Sequence, residues 1–162
     1  MGLNWAAEMR ALIQRVARAT VTVDLVTIGK IDAGLLAYVG VAPEDTGEDV
    51  EYIATKISTI RLFPDSEGRF DRSVSDVGGA VLVVSQFTLY AETRRGRRPN
   101  FSGAASPDVA KPLVEALGDR LRKDRIVVQT GRFGALMQVD SVNDGPVTIV
   151  IDSTDRKQTR QA

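Results

Sequence analysis

The chain has 162 residues, 43% hydrophobic and 26% charged, a composition that fits one folded domain and argues against a disordered or fibrous architecture. Its 21 basic and 21 acidic residues cancel, so no global field argues for a nucleic-acid partner. Cysteine and histidine are both absent, which excludes thiol nucleophiles, disulfides, histidine or thiolate metal sites and the serine–histidine–aspartate triad.

Residues 1–8 show no periodicity and are expected to be an appendage, with the folded domain over residues 9–152 and a polar, flexible tail over 153–162. From Leu12 to Val23 apolar residues alternate, placing Ile13, Ala17, Ala19, Val21 and Val23 on one strand face. Arg15 falls on that face, where a charge needs a specific partner unless a bulge turns it outward. Val26 to Ile31 and Leu35 to Val41 continue as short strands of a meander. Asp45 stands three residues before Glu48 in a capping arrangement, and Val50, Ile53, Ala54, Ile57 and Ile60 recur at helical spacing. Turn chemistry follows at Asp65 to Gly68 and at Gly78-Gly79, and Ala80 to Val84 reads as a buried strand.

Ser106-Pro107 starts a second helix with the stripe Ala110, Leu113, Val114, Leu117 and Leu121. Pro112 either kinks that helix or marks where its regular part begins. Three β segments complete the chain, Ile126 to Thr130, Leu136 to Val142 and Val147 to Ile151. Strands outnumber helices without βαβ alternation, so the expected fold class is α+β, a layered β/β/α domain of mostly antiparallel sheet packed with two main helices. No apolar run approaches the roughly 18 residues of a membrane span, so no membrane partner and a cytoplasmic location are expected.

Without histidine or cysteine, catalysis must rest on hydroxyls, carboxylates, lysine, backbone amides or groups of the substrate. Ser85-Gln86-Phe87-Thr88 closes the buried strand, where two hydroxyls and an amide beside backbone N–H groups suit binding of a carbonyl; the same residue types also satisfy local backbone groups. Asn143-Asp144-Gly145-Pro146 reads as a tight turn whose proline permits a cis bond. Arg94, Arg95, Arg97 and Arg98 crowd around Gly96, either a solvated loop or a local phosphate site. Asp71, Asp76 and Asp140 are scattered rather than spaced as oxygen ligands, so no metal and no cofactor are expected.

Together Ser85-Gln86-Phe87-Thr88-Leu89 and Asn143-Asp144-Gly145-Pro146-Val147-Thr148 resemble the two signature motifs of the D-aminoacyl-tRNA deacylases of bacteria and eukaryotes. Met9 to Val16, Gly96-Arg97-Arg98-Pro99 and Gly131-Arg132-Phe133-Gly134-Ala135 with Met137 are similar in kind and order, so the resemblance spans about residues 9 to 152. It implies an enzyme that hydrolyses the ester of D-aminoacyl-tRNA, and of mischarged glycyl-tRNA, at the 3′-terminal adenosine. It also implies a homodimer in which Gly145-Pro146, cis and steadied by Arg15, enters the partner's pocket and rejects L side chains. Ser85, Gln86, Phe87 and Thr88 would then form the catalytic segment, Phe133 and Met137 would shape the pocket, and Arg97 and Arg98 would bind tRNA. With no base for Thr88, the expected mechanism uses backbone amides near Phe87 and Thr88 and the substrate's 2′-hydroxyl.

Overall fold

The computed structural model describes residues 8–158. In chain order its elements are β1 (Arg10–Val23), β2 (Val26–Ile31), β3 (Gly34–Gly40), α1 (Gly47–Thr59), β4 (Phe63–Pro64) and β5 (Phe70–Arg72). They continue with β6 (Ala80–Ser85), α2 (Pro107–Lys123), β7 (Val127–Thr130) and β8 (Gln138–Asp152). Two 3-10 turns, Phe87–Tyr90 and Ser153–Lys157, follow β6 and β8.

β1 turns into β2 through Asp24 and Leu25, both left-handed at φ 48° and 67°, the pairing of conformations that suits a two-residue hairpin. The expected meander is instead one long arm. Partners keep step from Ala19↔Ile31 to Val16↔Gly34, so β2 and β3 lie end to end along one edge of β1 and do not pair with each other. β8 covers the other edge, and the two strands expected near its ends are one strand with an interruption. Gln14 pairs Thr148 and Val16 pairs Asn143, so Asp144 to Val147 loop out opposite Arg15 alone.

Beyond β3, β6 and then β7 join in parallel, so the sheet is mixed, with three antiparallel pairings and two parallel ones. Parallel neighbours need a crossover, and α1 and α2 lie in the two crossovers. The βαβ alternation was hidden because β4, β5 and the long stretch after β6 separate the helices from their strands. β2 closes in on β7 from the far side: a Cβ on Gly29 would meet the Thr130 carbonyl oxygen at 2.7 Å, so glycine is what permits the approach. The sheet is therefore nearly closed, with Val16, Ala19, Val21, Ile31, Leu36, Leu82 and Val84 packed in one core. A second core, between sheet and helices, holds Met9, Ala11, Ile13, Ile53, Ile57, Leu117 and Leu121 among others.

β1 serves both cores, and this breaks its alternation. Ala11 and Ile13 are buried in one core, Val16, Ala19 and Val21 in the other, and Arg15 and Val16 are consecutive buried residues at the register shift. Ala17, expected inside, is exposed for that reason. The α1 cap also differs from the expected Asp45. Thr46 is the N-cap, its hydroxyl accepting from Glu48 N at 3.3 Å while the Asp49 carboxylate accepts from Thr46 N at 2.8 Å. Asp45 instead ties the chain start to the loop, accepting from Met9 N at 3.0 Å and Ala42 N at 2.6 Å.

α2 runs from Pro107 through Pro112, which is exposed near its start, so the helical bond that its missing N–H removes falls on the solvent side. The expected appendage lies outside the described residues over 1–7, and residues 159–162 of the expected tail do so too. Residues 153–157, expected to be frayed, form a docked turn. Ser153 is fully buried with its hydroxyl donating to Asp49 at 2.8 Å, and Arg156 pairs with Asp49 at 3.2 Å. Polar anchors therefore replace the apolar ones that the segment lacks.

Candidate active site

β6 leaves the sheet where its parallel neighbour ends, and Gln86 N makes a last bond to the Val39 carbonyl at 2.8 Å. The chain then winds into the 3-10 turn Phe87–Tyr90, anchored by buried Tyr90, whose hydroxyl donates to the Gly40 carbonyl at 2.9 Å. As the first two donors of that turn, Phe87 N and Thr88 N have no acceptor among the described residues. The Gln86 side-chain amide donates to the Thr88 hydroxyl. Phe87 is 57% exposed and meets Phe101 edge-on, centroids 5.2 Å apart.

A cavity of about 590 Å³ opens beside this turn. Ser85, Gln86 and Phe87 form one part of its wall, Phe133 and Met137 another, and Phe101, Ala104 and Ala105 a third. Five of the expected site residues thus come together; Thr88 joins them through Gln86 but does not line the space. Among the described residues, none that lines the cavity carries an ionisable side chain. Chemistry here would fall to main-chain amides, the serine hydroxyl, the glutamine amide and the groups that a substrate brings.

Gly145 and Pro146 stand elsewhere. They sit exposed on the β8 interruption, joined by a cis peptide bond, and neither lines the cavity. The interruption is held firmly. Arg15, 9% exposed, donates from Nε to the Asp144 carbonyl at 2.9 Å and from Nη1 to the Leu62 carbonyl at 2.7 Å, with its guanidinium 5.4 Å from the Phe70 ring centroid. Asn143 closes the base of the loop, accepting from Val147 N at 2.8 Å and donating to the Thr148 hydroxyl at 2.9 Å. Gly145 has φ 144°, and a Cβ there would meet Val147 Cγ2 at 2.7 Å.

Arg97 and Arg98 lie on an exposed loop pinched at its base by mutual backbone bonds between Glu92 and Asn100. Arg94 is paired with Glu92 at 3.0 Å, whereas Arg95, Arg97 and Arg98 make no ion pair among the described residues. The loop leads directly into Phe101, so it borders the cavity. Phe101, Ala104 and Ala105 were not expected in the site. The signal for them was an aromatic residue directly after an arginine-rich loop, which strand and helix periodicity cannot weigh.

Comparison with known proteins gives the class. A D-aminoacyl-tRNA deacylase of Chloroflexus aurantiacus is 57% identical over 154 residues, 95% of this chain and 96% of that protein. One of Thermus aquaticus is 53% identical over 152 residues, 94% of this chain and 100% of that protein. The solved c-Myc DNA unwinding element binding protein superposes with TM-score 0.84 at 38% identity, covering 88% of this chain and 97% of its own. A further solved structure at 16% identity and TM-score 0.78 shares the fold. The family described as D-Tyr-tRNA(Tyr) deacylase matches residues 12–152. The chain belongs to this D-Tyr-tRNA(Tyr) deacylase family, and it is an enzyme that hydrolyses an aminoacyl-tRNA ester.

Proposed function

We propose that residues 9–152 form a single catalytic domain that removes D-amino acids, and glycine, from the 3′-terminal adenosine of tRNA in the cytoplasm. The observation that carries this reading is the neutral cavity at the end of β6, with two main-chain N–H groups unengaged at its edge. The ester carbonyl would rest against the amides of Phe87 and Thr88, which stabilise the negative charge that develops on its oxygen. Water adds to that carbon, aided by the 2′-hydroxyl of the adenosine, and the ester C–O bond breaks to release amino acid and tRNA. Ser85 and Gln86 orient the substrate, while Phe87, Phe133 and Met137 bound the space for it. Arg97 and Arg98 attract the RNA backbone.

Chiral selection is assigned to Gly145 and Pro146 acting across a homodimer. Three features support it: the pair is exposed, it is held from behind by Arg15, and it faces away from any role in its own protomer's cavity. Among the described strands β8, which carries the pair, pairs with β1 alone and leaves a long open edge suited to a second copy. Seated in the partner's cavity, main-chain carbonyls of the pair would accept from the substrate's amino group and leave no room for an L side chain, while glycine passes.

The test is hydrolysis of matched D-tyrosyl-, L-tyrosyl- and glycyl-tRNA. Hydrolysis of the D and glycyl esters with the L ester spared is the expected result; equal rates on both tyrosyl enantiomers would overturn the selector.

A further inference from the structure

A second cavity, about 270 Å³, shares Ser85 and Phe133 with the first, so the two are neighbours across a thin wall. Its chemistry is different. Lys111 of α2 and Arg132, just beyond β7, line it together with Thr130, and Glu115 is the acid in the lining. Lys111 and Arg132 are exposed and make no ion pair among the described residues. On a chain whose charges otherwise balance, two unpaired cations in one concavity are available to an anion.

The main cavity suits the uncharged parts of the substrate. It offers no cation, so a phosphodiester would lose its hydration there without compensation. The RNA strand must carry its first phosphate out of that space, and the shared Ser85–Phe133 wall leads to Lys111 and Arg132. We propose that the second cavity is a phosphodiester subsite that holds the phosphate immediately 5′ to the terminal adenosine on Lys111 and Arg132, with Thr130 as a further donor. The proposal rests on the aminoacyl-tRNA reading above. Such contacts position a strand without reading its sequence, so this subsite would set the register of the ester against the amides of Phe87 and Thr88.

The experiment compares two D-tyrosyl esters, one of adenosine, with no phosphate, and one of a trinucleotide ending in adenosine. Wild-type enzyme should favour the trinucleotide in kcat/KM. Replacing Lys111→Ala and Arg132→Ala together should shrink that preference about tenfold and flatten the salt dependence of log KM by about 0.7 per cation removed. Glu115→Gln, which removes the acid, should enlarge the preference. Circular dichroism verifies that each variant is folded. A double variant with wild-type preference and salt slope overturns the subsite, as does loss of the preference on replacing Arg97 and Arg98 instead. If wild-type enzyme cleaves neither ester, the reading of the main cavity as the site of a D-aminoacyl ester of adenosine itself fails, an outcome distinct from the other two.

Discussion

Arg15 shows how a single residue joins structure to the proposed selector. A guanidinium that satisfies two carbonyls, of Asp144 and Leu62, holds the interruption in β8 to the hairpin beyond α1. Arg15→Met keeps bulk and loses both bonds, so it should cost about 2–4 kcal/mol in urea unfolding and lower D-aminoacyl-tRNA hydrolysis further than the loss of folded protein explains. Gly145 has the opposite liability, since its φ of 144° and the 2.7 Å approach to Val147 leave no place for a methyl. Gly145→Ala should remain folded, because the loop is exposed, and should lose about tenfold or more in D-tyrosyl-tRNA hydrolysis; an unchanged rate would remove Gly145 from selection. Thr88 is different again. Its hydroxyl accepts from Gln86 and no ionisable group among the described residues lines the cavity to deprotonate it, so Thr88→Ala should keep its rate within about tenfold.

At the scale of elements, the close contact of β2 with β7 and the tie between chain start and α1 carry consequences for stability. Gly29→Ala would push a Cβ against the Thr130 carbonyl at 2.7 Å and Leu82 Cδ1 at 3.1 Å, opening the nearly closed sheet; a loss of about 1–3 kcal/mol in denaturant unfolding is expected. Asp45 adds a pH dependence. Burial pushes its carboxyl up to about 7, against the backbone N–H bonds from Ala42 and Met9 that favour the charged form. An unfolded aspartate releases its proton near pH 3.9, so the folded chain holds an extra proton between about 4 and 7. That contribution to stability is complete below the unfolded value and is lost as pH rises toward about 7. Asp49 works in the other direction. Burial raises its pKa, but the Thr46 amide, the Ser153 hydroxyl and Arg156 outweigh that and hold it below the usual range, so its contribution is present above the unfolded value and lost only in acid. The urea midpoint of wild type minus that of Asp45→Asn should therefore narrow as pH rises from 4 to 7; a constant difference would show that Asp45 ionises as an ordinary aspartate.

For the whole molecule the decisive prediction concerns the proposed dimer. Gly145→Ala spoils the selector and leaves the cavity intact, whereas Phe87→Ala spoils the cavity and leaves the selector intact. Mixed and refolded together, the two should regain about a quarter of wild-type activity, because half the dimers then hold one complete site in two. No recovery would mean that each protomer uses its own Gly145-Pro146. Much of this organisation was legible in the chain. The α1 and α2 stripes and the buried run of β6 were readable because local spacing alone decides which residues can share a face, whereas the two signature segments stood out only through their resemblance to a known family. Ser85 to Thr88 drew notice as polar groups ending a buried strand, but only the family resemblance favoured a site over local backbone capping. What local spacing could not decide was where β1 changes sides, which exposes Ala17; that the β8 segments are one interrupted strand; that the helices lie in parallel crossovers; and that Phe101 packs edge-on against Phe87 in the cavity wall. Each of these depends on contacts between residues far apart in sequence, whose geometry is set by how a curled sheet packs against helices. The sequence by itself determined the residue types available for chemistry, excluding histidine and cysteine outright. Only the tertiary structure decided that Gly145-Pro146 stands apart from its own cavity, because it is the one Arg15 opposite a looped-out β8 that turns the pair outward.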